Sequence, residues 1–190
     1  MADMSLTQRQ FYYMRHGQTD WNVKKLCVGQ VDVPLNYNGM EQARLAAPVV
    51  QRLSISTIFH SPLERARVTA LVAGYGAALP IREDVDLREV CLGIKEGYPE
   101  DDASDDFVSA WLAGEKISGA ESFNVFRNRV VSALNRCLSH ESAKPPLIVA
   151  HSGVFMALAS ICEAGIEDIE HCTPYHFEPS KRGWSVRRAI

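Results

Sequence analysis

At 190 residues, 46% apolar and 23% charged, the chain is long enough to bury roughly 70% of the surface its unfolded form exposes, so no disulfide or metal staple is needed. A formal net charge of −3, with no basic run beyond short Lys/Arg pairs, disfavours a nucleic-acid partner. No run approaches the roughly 20 apolar residues of a membrane helix, and MADMSLTQRQ has no charged-then-apolar secretory profile, so no membrane association is expected.

Taken in chain order, QFYYM (10–14) reads as a short buried strand. NGMEQARLAAPVVQ (38–51) reads as a helix with Ala43, Ala46, Ala47 and Val50 on one side, weakened or kinked near its end by Pro48. STIFH (56–60) is a second strand. SPLERARVTALVAG (61–74) then reads as a helix with Ser61 as N-cap, Pro62 in first position, Glu64 completing a capping box and Gly74 as the stop. LPIRE (79–83) is a third strand. The longest helical pattern covers 121–140, with Phe123, Phe126, Val130, Ala133, Leu134 and Cys137 as its apolar side.

PLIVAH (146–151) is a near-continuous apolar run suited to a strand buried on both faces, and GVFMALASICEAG (153–165) is a short apolar helix. PYHFEP and WSVRRAI flank SKRG as a C-terminal hairpin. The least regular segment is 96–119. No repeat or linker interrupts the chain, so 1–190 reads as one domain. The alternation predicts an α/β three-layer sandwich, with a mostly parallel central sheet and helices on both faces.

Residues past the carboxyl ends of strands in such sheets gather in one crevice. Two of these tips carry histidine, Arg15-His16-Gly17 and His151-Ser152-Gly153, and a third carries Ser61 with Arg65 one helical turn on. Arg15 and Arg65 offer fork-shaped donors suited to phosphate oxygens, and a neutral His16 imidazole can attack phosphorus. Gly17 has no Cβ, which would let a phosphoryl group approach the backbone. A protonated His151 could donate to equatorial oxygens, and Glu89 could supply the proton a leaving alkoxide needs.

These residues carry a resemblance. RHGQTDWN (15–22) resembles the defining motif of the histidine phosphatase superfamily, the group that includes cofactor-dependent phosphoglycerate mutase. VGQVDVPLNYNGMEQA (28–43), SPLERARVTA (61–70), LREVCLGIKEG (87–97) and VAHSGVF (149–155) resemble its further blocks, in the family's order. The resemblance implies His16 as the phosphorylated nucleophile, and Arg15, Arg65 and His151 as the phosphate pocket. It implies Asn22 as a further donor, Glu89 as general acid and base, and no metal or other cofactor. Ser152 stands where relatives often carry glycine, and its hydroxyl could donate to phosphate or cap the next helix. Gln30 replaces an often aromatic residue at the pocket mouth.

Segment 96–119, read as a variable cover over the site, holds Lys116 as its sole cation among seven carboxylates (Glu96, Glu100, Asp101, Asp102, Asp105, Asp106, Glu115). An acidic cover is a poor place to hold a bisphosphate, which favours a phosphomonoester phosphatase acting on a small phosphorylated metabolite over a mutase-like phosphotransferase. A catalytically silent binding protein is the alternative from another class. Among other candidates, His60 reads as strand-end packing, and Pro174 between His171 and His176 spoils a helical metal pair. The acidic run at 100–106 reads as a solvated turn and helix start. Five scattered cysteines without C-x-x-C are expected to be free thiols, mostly buried, in a reducing cytoplasm; assembly state stays open, a homodimer included.

Overall fold

The computed structural model describes residues 5–100, 107–162, 169–181 and 183–189. Strand β1 (Phe11–Arg15) is followed by the short helix α1 (Asp20–Val23) and by α2 (Tyr37–Arg52). Next come β2 (Ile58–His60), α3 (Glu64–Ala73) and β3 (Ile81–Glu83). Two 3-10 turns, Val85–Leu87 and Gly93–Lys95, lead to α4 (Phe107–Leu112) and α5 (Phe123–Leu138). The chain continues through β4 (Leu147–Ala150), α6 (Ser152–Cys162), β5 (Pro174–Ser180) and β6 (Gly183–Arg188).

The six strands form one sheet in the order β3-β2-β4-β1-β5-β6. The first four run parallel, and β5 and β6 add an antiparallel hairpin at one edge, as expected. Alternation along each strand divides the core between two faces. Phe11 and Tyr13 of β1, with Ile148 and Ala150 of β4, pack in the cluster built from α5 and α6. Met14, Leu147 and Val149 point the other way, into the cluster built from α2 and α3. Burial on both faces explains why PLIVAH reads as a continuous apolar run.

One helix runs through its proline as expected, and one local expectation is corrected. Helix α2 passes Pro48 and ends only at Arg52. Pro48 lies on the exposed side together with Arg44, whose carbonyl loses its helical partner where solvent can replace it. The capping box at Ser61 does not form: α3 begins at Glu64 with Leu63 at the N-cap and no side-chain cap. Asp32 Oδ1 instead accepts from the Glu64 N–H at 2.7 Å, so a distant loop satisfies this helix start. Gly74 does close the helix.

All five cysteines are free; four are buried and Cys91 is half-buried. Burial pushes the thiols of Cys137, Cys162 and Cys172 up to about 12, which leaves little thiolate for reaction. No helix among the described residues is long and apolar enough to cross a membrane. The acidic positions Asp101, Asp102, Asp105 and Asp106, the end of the predicted helix at 163–165, and Arg182 in the hairpin turn lie outside the described residues.

Candidate active site

The carboxyl ends of β1, β2 and β4 lie side by side, which brings residues 15–16, 61 and 151 to one edge of the sheet. The His16 N–H donates to the Ala150 carbonyl at 3.0 Å and the Ser61 N–H to Val149 at 3.1 Å, so the sheet ladder itself sets the spacing of these tips. Tyr13 locks the β4 end further: its hydroxyl donates to the His151 carbonyl (2.6 Å) and accepts from the His151 N–H (3.1 Å).

His16 is buried, and its Nδ1 lies 2.7 Å from the Gly17 carbonyl. A carbonyl only accepts, so Nδ1 carries the proton and Nε2 presents its lone pair. The Nε–H of Arg65 donates to that Nε2 at 3.3 Å. Burial, and next the Arg65 cation, hold the His16 pKa well below its ordinary value, outweighing the Gly17 carbonyl that favours the charged ring. His16 is therefore a neutral imidazole with its basic nitrogen beside a cation.

His151 is fully buried, with its ring 5.1 Å from that of His16. Its Nε2 is 2.7 Å from the Ser61 hydroxyl, whereas Nδ1 is buried with no hydrogen-bond partner among the described residues. Ser61, expected as a helix cap, thus orients a histidine. Burial first, then Arg65, keep the His151 pKa well below its usual value, so the protein's own groups favour the neutral ring over the imidazolium expected from the sequence.

Arg65 is a buried cation, only 1% exposed. Its terminal nitrogens donate to the carbonyls of Val31 and Gly29, both at 2.8 Å. The loop from the second sequence block therefore orients the guanidinium of the third. Gly17 serves a purpose other than the expected ligand approach. A Cβ there would lie 2.5 Å from the Gly39 carbonyl oxygen, so the missing side chain lets the β1 tip pack against the start of α2. The Gly17 N–H donates to Thr69 Oγ1 at 3.0 Å, tying the same tip to α3.

Glu89 is held from both sides. One carboxylate oxygen accepts from the Val90 N–H and the other from the Gly153 N–H, each at 2.9 Å. A Cβ on Gly153 would fall 2.3 Å from Glu89 Oε1, so only glycine leaves room for the carboxylate there. Arg129, unforeseen in the sequence, and Gln30, noted there at the pocket mouth, secure the loop. Arg129 of α5 donates to the carbonyls of Asp86, Arg88 and Glu89 and pairs with Glu121, which also accepts from the Cys91 N–H. Gln30 Nε2 donates to the Glu89 carbonyl at 2.9 Å, so Gln30 braces the loop beneath the mouth.

His16, Arg15, Arg65, Glu89, Asn22 and Ser152 line one cavity of about 330 Å³; His151 is fully buried and is not among its lining residues. Asn22 Oδ1 accepts from the Thr19 N–H and hydroxyl, closing a reciprocal cap on α1 that sets its amide at the cavity edge. Ser152 opens α6 itself, so the expected cap at Gly153-Val154 does not arise. His171 was read only as a failed metal partner; its Nδ1–H donates to the His16 carbonyl at 2.6 Å, and the rings are 5.6 Å apart. No cluster of three or more metal-ligating groups occurs among the described residues, and the cations Arg15 and Arg65 suit an anion instead.

The chain is similar to known proteins. The chain is 33% identical over 148 residues to the probable phosphoglycerate mutase GpmB of Serratia proteamaculans, covering 75% of this chain and 69% of that one. It is 31% identical over 157 residues to the uncharacterized phosphatase PhoE of Bacillus subtilis, covering 83% and 79%. Among solved structures, mycobacterial glucosyl-3-phosphoglycerate phosphatase in complex with VO3 superposes with a TM-score of 0.76 at 27% identity, covering 96% of this chain and 98% of that one. Residues 11–189 match the family described as histidine phosphatase superfamily (branch 1), and the chain belongs to that superfamily.

Proposed function

We propose that the protein is a phosphomonoesterase working through a phosphohistidine, as one domain with residues 96–119 covering the site. The observation that carries this reading is the neutral His16, its Nδ1 proton held by Gly17 and its Nε2 lone pair set beside Arg65. In the first step Nε2 attacks phosphorus, the ester P–O bond breaks, and Glu89 gives its proton to the departing alkoxide. In the second step the Glu89 carboxylate takes a proton from water. The hydroxyl oxygen then displaces His16 and inorganic phosphate leaves. One hard displacement becomes two easier ones.

Arg15, Arg65, Asn22 and Ser152 supply donors to the phosphoryl oxygens, and the His151 Nδ1, which has no hydrogen-bond partner among the described residues, is the further candidate donor. A bound dianion would raise the His151 pKa and favour the imidazolium, the better donor. Arginines stand where divalent cations act in other phosphoryl-transfer sites, so chelators should leave the rate unchanged.

Similarity to a probable mutase supports a second reading, a phosphoglycerate mutase-like phosphotransferase. The seven carboxylates against one lysine in 96–119 favour hydrolysis. Purified protein should release inorganic phosphate from an aryl phosphate and form an acid-labile phosphoenzyme, and His16→Ala should lose both. Unchanged hydrolysis by His16→Ala would refute the covalent route. Bisphosphate-primed interconversion of 2- and 3-phosphoglycerate that outpaces hydrolysis would overturn the phosphatase preference, and failure to bind vanadate would point to a silent scaffold.

A further inference from the structure

We propose that the apolar part of the cavity lining selects an uncharged, apolar alcohol, so the substrate class is the monophosphate ester of an aryl or medium-chain alkyl alcohol. This rests on the phosphatase reading above and adds which leaving group it accepts. Beside the polar groups, the same lining carries the apolar side chains of Cys27, Val28, Leu92, Trp111, Phe155 and Met156. This apolar part is preformed. Trp111 is 2% exposed, packs edge-on against Phe123 with centroids 5.2 Å apart, and donates its Nε1–H to the Glu121 carbonyl at 2.6 Å. With that donor committed, the indole offers a substrate only its apolar surface.

Charge argues the same way. Arg15 and Arg65 are the only cations lining the cavity among the described residues, both beside the proposed phosphoryl position, and Glu100 adds a carboxylate to the lining. A second anionic group on the substrate, such as the carboxylate of a phosphoglycerate, would be desolvated against apolar side chains with no countercharge. A sugar ring would bury hydroxyls against walls that do not pair them. An aryl or alkyl chain meets neither cost. At about 330 Å³ the cavity sits at the small end of ligand sites, which run from roughly 300 to 1,000 Å³, so it suits one ring or a short chain.

The test uses alkyl phosphates from ethyl to hexyl, whose leaving alcohols have nearly equal acidity, alongside 3-phosphoglycerate and glucose 6-phosphate. We expect kcat/KM to rise with each methylene, by up to roughly fourfold per fully buried group, and the two polar esters to fall well below hexyl phosphate. Alkylphosphonates titrated calorimetrically into His16→Ala should show the same ladder in Kd, without any catalysis. Met156→Lys should flatten the ladder and raise the relative rate on 3-phosphoglycerate. A flat ladder in both measurements, or a preference for 3-phosphoglycerate, overturns the apolar subsite even if His16-dependent hydrolysis stands. A clear binding ladder in a protein with no phosphoenzyme would keep the subsite and refute the catalytic reading.

Discussion

The polar and the apolar parts of the cavity lining are built by different means. In the polar part, positions are set by main-chain atoms: the strand ladder places residues 16 and 61, carbonyls of residues 29 and 31 aim Arg65, and N–H groups of residues 90 and 153 hold Glu89. Glycines 17 and 153 are needed there because any Cβ would strike a neighbour. The apolar part is made of side chains that could be exchanged for others of similar volume without moving the backbone. On the proposed reading, chemistry that depends on sub-ångström placement sits on the rigid frame, and the selecting surface sits where substitution is cheap. Glu121 joins the two parts, since its carboxylate clamps Arg129 and the Cys91 N–H while its carbonyl accepts from Trp111.

That contrast can be broken most sharply at Arg65. Arg65→Ala should lower kcat/KM for every ester by about 2.7–4 kcal/mol, or 10²- to 10³-fold, with chain-length preference retained in steady-state assays. Selectivity lost together with rate would show that the two parts are not separable. Next comes Gly153→Ala, whose new methyl displaces the Glu89 carboxylate. Loss of general acid–base action should cost about 10²-fold in kcat. With an activated aryl ester, rapid quench should show the phosphoenzyme accumulating, because the first step needs little acid assistance.

Arg129→Ala should cost about 3 kcal/mol in urea unfolding, since it leaves Glu121 and three carbonyls without their donor. Slack in the Glu89 loop should reduce kcat by up to about 10²-fold with little change in KM, and Arg129→Lys should recover part of it.

The smallest effect is on pH. His16 and His151 have folded pKa values below the ordinary 6.5, so the stabilising neutral forms are fully present above about pH 6.5. That contribution is lost as pH falls through the folded values, because the unfolded chain binds the protons first. The urea midpoint should drop between pH 7 and pH 5, and vanadate should reverse part of the drop. A midpoint that rises on acidification would contradict neutral buried histidines.

Much of this was legible in the sequence where a pattern is local. The apolar run of PLIVAH, the turn chemistry of the hairpin and the R-H-G tip each contain their own signal within a few residues. Ser61 misled because S-P-L-E has the spacing of a capping box, yet its hydroxyl faces His151, 90 positions away. Gly17 misled in the same way, its reason being the Gly39 backbone. The bonds made by His171, Arg129 and Gln30 carried no local signal, although the motif comparison already placed Gln30 at the pocket mouth. Their partners lie 155, 40 and 59 positions off, and nothing in their neighbours marks them.

By itself, the sequence determined the layered α/β order, the two histidine tips and the groups proposed to meet a phosphate, because strand and helix periodicity and motif spacing are properties of short segments. Only the tertiary structure decided the protonation of His16 and His151, the burial of Arg65, the anchoring of Glu89 and the apolar part of the cavity lining. Those depend on desolvation and on contacts between distant segments, which arise only once the sheet has assembled.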